Sequence, residues 1–390
     1  MKKYNLLWII SFALLTLSGC YKDAFNSQEI HNASLRESWM SKVTTTPNGW
    51  TQHADSWFFT GQPDQIQRFS STEPTPSAMT LMMVKVPQST TLDIDGSFRV
   101  QIVGGQGRNS LYILGPNARA RHVGVAFIKN TLYIHQDEDC HDQLGDVIVR
   151  IGINNLRKLI YAGDGNVTGR NITSDGLAIN SSGDGMILMN GNANLLQVMQ
   201  NGSGTVTVLG TQSPNVDVSV LGPGNVNISG RVGISHLIHR GNGTVNIVGA
   251  DSNNLSVKAS GEGLTSIVGY VNLKRLIAEN GSQVYIYWVN SDGLYVTEHN
   301  KANVGLAGAA STLNIDAYDW TRFAGKYLHG GSVYVHTYGN AHATVSANVK
   351  IFAAAENDSS IYFYGSPQIV SKYIRQQGAI LPIQTALPVP

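Results

Sequence analysis

The chain has 390 residues, a net charge of +1 and only 14% charged residues. Such a low and balanced charge excludes the basic surface that nucleic-acid binding requires, and it provides no electrostatic attraction to an acidic partner. With 2 cysteines and 41 glycines, the sequence has no framework of several disulfides and favours short strands joined by tight turns.

The start of the chain resembles the signal of a bacterial lipoprotein. Lys2 and Lys3 provide a positive charge, and residues 6–17 are apolar but too short to span a bilayer comfortably. The sequence Leu-Ser-Gly-Cys follows, which is similar to the lipobox where such proteins are cleaved and lipidated. We therefore predict a signal peptide at residues 1–19. An uncleaved anchor or an ordinary secretory signal is the alternative.

The first cysteine predicts where the protein is held. Cys20 would carry the lipid, and several acyl chains on one residue form a firm anchor. Tyr21 stands in place of the Asp that retains enteric lipoproteins at the inner membrane. The resemblance therefore implies a protein anchored by lipid in the outer membrane, facing the periplasm or the cell surface. Only Cys140 then remains, so no intramolecular disulfide is expected.

Two segments precede the regular part of the chain. Residues 20–77 are polar and are predicted to form a tether, in which Trp39, Trp50 and Trp57 indicate a docked segment. In residues 78–155 apolar and polar side chains alternate, as in the sequence Phe-Arg-Val-Gln-Ile, which is typical of strands. We predict that these residues form irregular first coils that cap one end of a solenoid.

A repeat dominates residues 156–366. Triplets of small residues such as Gly-Ser-Gly recur every ~20 residues, and a longer interval at first alternates with a slightly shorter one. The triplets begin at Gly163, Gly183, Gly202, Gly222, Gly241, Gly261, Asn280 and Asn300, and then, after two much longer intervals, at His329 and Asn357. A fixed period of this kind is the signature of a solenoid, in which each coil contacts only its neighbours.

The residue types around each triplet predict how a coil turns and packs. The first position is Gly, Asn or His, residues that tolerate a positive φ, so we expect a left-handed corner there. The third position is Gly, Ser or Ala, which predicts close stacking of backbones. Apolar residues recur two and four positions later, as at Val206 and Val208, and a further Gly marks the next corner, as at Gly210.

These columns predict the fold class. Stacked at the ~4.8 Å spacing of strands, they form continuous apolar ladders. The sequence therefore predicts an all-β, single-stranded β-solenoid, that is, a parallel β-helix with coils of about 20 residues. Residues 311–328 and 338–350 are predicted to be two insertions, because they lengthen the interval between triplets. Residues 367–390 are predicted to be a C-terminal tail.

Two runs of sequence carry a family resemblance. Asn201-Gly-Ser-Gly-Thr-Val-Thr-Val-Leu-Gly and Asn280-Gly-Ser-Gln-Val-Tyr-Ile resemble the putative auto-transporter adhesin, head GIN domain family of bacterial envelope proteins. The resemblance covers about residues 92–365. It implies a secreted or surface β-helix, often a lipoprotein, with an adhesive role, and it implies no catalytic residues.

No cofactor is predicted. The Gly-x-Gly triplets occur in every coil and open strands, whereas a nucleotide-binding loop occurs once and opens a helix. Their middle residues provide no repeated carboxylate for calcium. His135, Cys140 and His141 could ligate a transition metal, but no second ligand pair at zinc-site spacing follows. We therefore interpret this cluster as a solvated loop.

Parallel β-helices include enzymes that cleave polysaccharides, which need clustered acidic residues on one face. The strongest candidates for such a cluster are Asp316, Asp319, Arg322 and Lys326. Their spacing indicates neither a nucleophile–base pair nor a pair of carboxylates. No catalytic residue is therefore predicted.

Aromatic residues concentrate in the later coils. The outward position three residues after each triplet is mostly Thr, Asn or Ser up to Ser266, and it then becomes Tyr in several coils. The predicted binding residues are Tyr285, Tyr287, Trp288, Tyr334, Tyr362 and Tyr364. A stripe of exposed aromatic side chains is typical of a recognition surface, unless the insertions fold over the rings.

The sequence therefore favours a non-enzymatic envelope protein that acts as a structural scaffold or an adhesive surface. Its predicted partners are the membrane, through the N-terminal lipid, and proteins or glycans. Two alternatives stay open. One is an accessory subunit of a multiprotein envelope complex, such as a secretion-system outer-membrane assembly, and the other is a polysaccharide-active β-helix enzyme.

Overall fold

The structure is a computed structural model in which two units are distinguished, Met1–Gln65 and Ile66–Pro390. It describes residues 44–45, 50–53, 56–59, 79–84, 86–106, 109–137, 140 and 143–383. The predicted signal peptide and the predicted lipidation site Cys20 lie outside these residues, as do Trp39 and His141. Within the part that is described, no helix is long and apolar enough to span a membrane.

The first unit contains a small antiparallel sheet. Its strands are β1 (Thr44–Thr45), β2 (Trp50–His53) and β3 (Ser56–Phe59), which pair in chain order. The segment predicted as a tether therefore includes paired strands.

The second unit begins with strands of mixed direction, which agrees with the predicted irregular cap. The elements are β4 (Met79–Val84), β5 (Thr91–Asp95), β6 (Arg99–Gly104), β7 (Ser110–Pro116), α1 (Asn117–Ala120), β8 (Val123–Ile128), β9 (Thr131–Gln136) and β10 (Ile148–Ile153). Antiparallel pairs form between β4 and β7, β7 and β10, and β8 and β9, while β6 and β10 are parallel. The sheet then changes to purely parallel pairing.

The rest of the second unit confirms the predicted parallel β-solenoid, which has about 12 turns of ~19 residues. The early coils consist of β11 (Lys158–Tyr161), β12 (Asn166–Arg170), β13 (Ser174–Ser181), β14 (Met186–Asn190) and β15 (Ala193–Gln200). Longer strands that bend around corners follow, namely β16 (Thr205–Val220), β17 (Asn225–His239), β18 (Thr244–Gly261), β19 (Leu264–Asn280), β20 (Gln283–Glu298), β21 (Asn303–Asp319), β22 (Arg322–Gly339) and β23 (His342–Glu356). The last strands are β24 (Ser360–Tyr364), β25 (Ile369–Arg375) and β26 (Ala379–Pro382).

The interior consists of the predicted apolar ladders. Val206, Val226 and Val245 occupy one column, and each is fully buried. Burying a side chain of this size contributes roughly 1.5–3 kcal/mol, so a ladder that continues through every coil is the main source of stability.

One corner explains why longer and shorter coils alternate. Every second coil has an extra residue there, in the left-handed region. These residues, each two coils after the one before, are Asn171, Gly210, Gly249 and Trp288, with φ of 53°, 74°, 84° and 67°. The intervening coils turn at Gly191, Gly230, Gly269 and Gly308, with φ between 134° and 154°. The predicted Gly corner is confirmed, and it follows a two-coil repeat.

The triplet corner differs in part from its prediction. Asn280 and Asn300 do adopt a positive φ, of 62° and 63°. Gly222 does not, and the expectation of a left-handed conformation is wrong for this glycine. A Cβ atom on Gly222 would overlap the backbone carbonyl of Asn201 in the preceding coil. Glycine is required here because the coils stack too closely for any side chain.

The two predicted insertions are regular coils. Residues 311–328 and 338–350 pair in parallel with the coils on either side. The corners lie at Asp319 and Gly339, with φ of 64° and 76°, so the coil length stays at ~19 residues. The triplet at His329 lies inside β22, where His329 pairs with Ala309 and not with a residue of the triplet corner, which is why the interval between triplets seemed longer.

The segment predicted as a C-terminal tail contributes a further coil. Residues 367–390 contain β25 and β26, which pair in parallel with β23 and β24. All seven residues of β25 are exposed. The expectation of a tail is therefore wrong for residues 369–382.

Candidate binding surface

Two outward faces of the solenoid carry the predicted binding residues except Trp288, which lies at a corner. We define face 1 as the outer side of residues 283–287 and of their register partners in the other coils. Face 2 is the outer side of residues 293–298 and of their partners. Because side chains alternate along a strand, Tyr285 and Tyr287 point out of face 1 while their neighbours fill the core.

Two predicted tyrosines share one column of face 1, four coils apart. Register places Gly305, Ala324 and Thr344 between Tyr285 and Tyr362. Four strand spacings amount to about 19 Å. The ring of Tyr285 covers Gly305, where a Cβ atom would lie 2.7 Å from the ring. Small residues thus form a strip with a tyrosine at each end.

Beside this column, further aromatic residues of face 1 lie around a basic residue. Tyr287 pairs with Ala307, which pairs with Tyr327, while Tyr364 lies two coils after Tyr327 and pairs with Ser346. The Nζ atom of Lys326 is 5.3 Å from the ring centroid of Tyr327 and 5.2 Å from that of Tyr364. These distances allow cation–π attraction, which orders the far end of the strip.

Trp288 occupies an unusual position at the corner next to face 1. It takes the place of Gly210 and Gly249 and has the left-handed φ of 67° that glycine adopts easily. Its side chain is nevertheless 67% exposed. A bulky residue in this conformation is strained by about 1–3 kcal/mol. The strain is not offset by burial.

Tyr334 lies on face 2, apart from the other predicted binding residues. Its register partner is Asn314, with Tyr295 one coil further on. The rings of Tyr334 and Phe352 are stacked, with centroids 5.1 Å apart. Lys350 Nζ is 5.7 Å from the centroid of Tyr334. The misread insertion had placed Tyr334 in the same column as Tyr285.

Sequence reasoning missed several exposed aromatic residues. Tyr327 is 67% exposed on face 1, and Tyr295 and Phe352 are exposed on face 2. Counting from the corner at Asp319 would place Lys326 in the column of Tyr287, and only a register irregularity between Ala324 and Tyr327 brings Tyr327 there. The spacing of the sequence alone therefore could not assign Tyr327 to this column.

The candidate catalytic residues are not gathered in one place. Asp316 points out of face 2, whereas Arg322 and Lys326 belong to face 1. Asp319 is at a corner, where its carboxylate accepts a hydrogen bond from the backbone N–H of Asn300 at 3.2 Å. This arrangement provides no pair of carboxylates for hydrolysis.

The cluster of His135, Cys140 and His141, interpreted above as a solvated loop, lies partly outside the described residues. Gln136 Nε2 donates a hydrogen bond to the backbone carbonyl of Cys140 at 2.8 Å. Among the residues with described positions, no group of three or more His, Cys, Asp or Glu side chains could hold a metal ion.

One interior column near the triplet corner contains polar as well as apolar side chains. In an early coil Gln200 Nε2 donates a hydrogen bond to the carbonyl of Gly204, within the same corner, at 2.6 Å. The same column contains Glu298, which is fully buried, and neither carboxyl oxygen has a hydrogen-bond partner in the described chain. Burial raises the pKa of Glu298 well above its ordinary value. We therefore expect this carboxyl group to keep its proton in the folded state.

Known proteins resemble this chain. A family model described as putative auto-transporter adhesin, head GIN domain matches residues 89–270 and 270–367. A putative adhesin from Bacteroides fragilis is 17% identical, with a TM-score of 0.24 and a match covering 78% of this chain and 97% of that one. Two structures from Parabacteroides distasonis have the same coverage. A putative adhesin is 15% identical with a TM-score of 0.28, and a putative lipid binding protein is 12% identical with a TM-score of 0.26. No curated protein matches the chain.

Proposed function

Because the chain belongs to the putative auto-transporter adhesin, head GIN domain family, we propose that it is a non-enzymatic binding protein of the cell envelope. In this proposal a lipid on Cys20 holds the protein in the outer membrane. The β-solenoid acts as a rigid scaffold and presents exposed aromatic side chains to a protein or glycan partner. The family supports both an adhesive role and an envelope location.

The observation that carries the binding proposal is the conformation of Trp288. Glycine at this position would relieve the strain, as it does in the coils of Gly210 and Gly249. The exposed indole contributes little to the core, so folding alone gives no reason for a tryptophan. Strained residues cluster at binding sites, where the surrounding structure holds them in place. We therefore assign Trp288 to partner recognition.

Further aromatic side chains surround Trp288. Tyr287 is adjacent and 43% exposed. In the preceding coil Tyr270 is also exposed, and Asn290 Nδ2 donates a hydrogen bond to its hydroxyl group. Tyr and Trp are the residue types that dominate binding energy at interfaces. A glycan could stack on these rings, and a protein partner could insert apolar groups between them.

Substitution at this corner tests the binding proposal. We expect Trp288→Gly combined with Tyr287→Ala to lower binding at least tenfold, measured on a glycan array and by chemical crosslinking in intact envelopes. Circular dichroism should show an unchanged fold. The paired changes Thr207→Ala and Asn246→Ala on face 1 of the early coils provide the matched control.

Tyr334→Ala tests whether face 2 takes part. On this proposal it has a smaller effect than the change at Trp288. Unchanged binding by the Trp288 variant, together with crosslinks that map to Trp50 and Trp57, would move the docking surface to the N-terminal segment and contradict the proposal.

The membrane anchor has its own test. Cys20→Ala should release the protein from the membrane fraction, because the thioether-linked lipid can no longer form. Intact mass of the native protein should show a lipidated mature chain beginning at Cys20. An unmodified cysteine at this position would end the anchoring proposal and leave the aromatic surface unaffected.

A further inference from the structure

The cap of the solenoid has an apolar outer side as well as an apolar inner side. β4, β7 and β10 lie next to one another, with Leu81 opposite Leu114 and Leu114 opposite Ile148. All three side chains alternate with buried residues, so they point away from the core. A sheet with one solvated side normally has polar residues at such positions. This surface is therefore suited to contact the apolar part of a ligand or partner.

The same surface is concave. A depression of about 500 Å³ is lined by the three residues above together with Tyr112, Gln101 and Arg150. A second depression of about 290 Å³ adjoins it, shares Gln101 and Arg150, and extends to Arg170. These volumes are those of sites for small molecules, which are mostly apolar with a few polar groups that orient the ligand.

Two arginines mark the polar end of this cleft. Arg150 on β10 lies opposite Gln101 of β6, and Arg170 on β12 lies opposite Val103, two residues further along β6. The two arginines therefore flank β6 from its two sides. Their strands are two spacings apart, about 10 Å, which long side chains can bridge to one anion. No acidic residue of the described chain lines either depression. Neither arginine forms an ion pair with any described residue.

Four other exposed arginines of the solenoid differ in this respect, whereas Arg240, Arg275 and Arg322 also form no ion pair with a described residue. Each of these four lies within 4.0 Å of an acidic side chain, in the pairs Arg119 with Asp146, Arg157 with Asp175, Arg231 with Asp251 and Arg375 with Glu356. The guanidinium groups of the cleft are thus available for a ligand. Guanidinium forms paired hydrogen bonds with carboxylate or phosphate, so an anionic group fits this end of the cleft.

We propose that the cleft binds an anionic amphiphile, with a phosphate or carboxylate group on Arg150 and Arg170 and an apolar chain against Leu81, Leu114 and Ile148. Charge complementarity selects this occupant, since a purely apolar segment would leave both arginines without a partner. The site is distinct from the aromatic surface around Trp288 and does not depend on its role.

Calorimetric titration with dodecyl phosphate, kept below its micellar concentration, tests the proposal. The protein is the full chain with Cys20→Ala, which removes the predicted lipid. We expect dodecyl phosphate to bind, and the double change Arg150→Gln with Arg170→Gln to weaken binding at least tenfold. Arg275→Gln, an exposed arginine remote from the cleft, should bind like the parent. Because the exchanged side chains are exposed, the fold should be retained.

Further probes separate the two parts of the ligand. Inorganic phosphate should bind more weakly than dodecyl phosphate, because it has no apolar chain. Leu114→Gln should weaken the binding of dodecyl phosphate and leave the binding of inorganic phosphate unchanged. Neutral dodecyl maltoside should bind at least tenfold more weakly. No binding of dodecyl phosphate, or equal binding by the double arginine variant, would overturn the proposal, and would indicate that a second copy or another segment of this chain covers the cleft.

Vesicles distinguish the source of the amphiphile. Binding to phosphatidylglycerol vesicles but not to phosphatidylcholine vesicles, lost in the double arginine variant, would identify a membrane headgroup as the ligand. Binding of dodecyl phosphate without binding to either vesicle would identify a free amphiphile. Both results support the same chemistry at Arg150 and Arg170.

Discussion

The coils between residues 163 and 279 and those between residues 280 and 364 share an interior but differ on the outside. Both stack Val, Ile and Leu in the same buried columns. On face 1 the earlier coils present short polar side chains such as Thr207 and Asn227, whose side chains are hydrogen-bonded to each other at 3.5 Å. The later coils present tyrosines beside small residues. The core thus fixes the fold, while the outward columns are free to acquire a binding surface.

The two regions also differ at the triplet corner. In the earlier coils Gly222 leaves no room for a side chain. In the later coils Asn280 and Asn300 have room for one but require a left-handed backbone. The difference shows that one sequence position can be restricted for two physical reasons, close packing or backbone conformation. Three predictions test this contrast between the regions.

The largest effect is expected at the glycine corner of the earlier coils. Gly222→Ala should destabilise the protein by about 3 kcal/mol, because a single Cβ atom would force the stacked backbones apart. Asn300→Ala should cost only about 1–2 kcal/mol, since the side chain fits and the losses are the positive φ and an exposed hydrogen bond from Asn300 Nδ2 to Asn280 Oδ1. Chemical denaturation of the two variants measures the difference.

Asn300→Gly serves as the control for the corner of the later coils. It should leave the free energy of unfolding nearly unchanged, because glycine adopts the same φ without strain. Equal destabilisation by Gly222→Ala and Asn300→Ala would show that both corners are limited by conformation alone.

Much of this fold could be predicted because a solenoid repeats its own signals. Apolar columns such as that of Val206 and Val226 specified the interior, and the alternation of longer and shorter coils was visible in the sequence. The corner at Asp319 was missed because Asp-Trp-Thr contains no glycine, although Asp can adopt a positive φ. That single shift of register moved Tyr334 to the wrong face, and a separate irregularity between Ala324 and Tyr327 concealed Tyr327.

The candidate sites depend on contacts and backbone conformations that the spacing of residues in the sequence does not predict. The alternating pattern of β4 and β7 predicted strands, but it did not show that their outer side chains meet the arginines of β10 and β12. Strain at Trp288 likewise required the backbone conformation. Sequence periodicity identifies what is repeated, whereas these sites lie where the repeat is interrupted.

The second prediction concerns the interior column near the triplet corner, where Gln200 has a partner and Glu298 has none. Burial raises the folded-state pKa of Glu298, so the folded protein keeps a proton that the unfolded chain releases above the ordinary carboxyl pKa. Stability from this group is therefore complete at low pH and is lost as pH rises between the two pKa values, by about 1.4 kcal/mol per pH unit. Denaturation across this range should show the loss.

Glu298→Gln isolates this contribution, because the amide does not titrate. The comparison with the parent is needed because a second carboxyl group titrates in the same way. Burial and the nearby Asp95 raise the pKa of Asp93 to about 6. Stability from Asp93 is therefore also lost as the pH rises towards 6. Asp93→Asn removes that second contribution. An identical pH dependence in the parent and in Glu298→Gln would show that the Glu298 carboxyl group is not protonated in the folded state.

The smallest change in stability, and the one that bears most directly on function, is expected at Trp288. Trp288→Gly should raise the free energy of unfolding by about 1 kcal/mol, because the left-handed backbone is no longer strained while the exposed indole adds little packing. The same variant should lose partner binding, so stability and binding change in opposite directions. Trp288→Ala keeps a Cβ atom at positive φ and should bind as poorly without becoming more stable. The earlier coils already contain the relaxed form of this corner, at Gly210 and Gly249, and the residues that flank these two glycines along the chain are not aromatic. If Trp288→Gly proved less stable than the parent, the indole would have a packing role, and Trp288 would belong to the fold rather than to the binding surface.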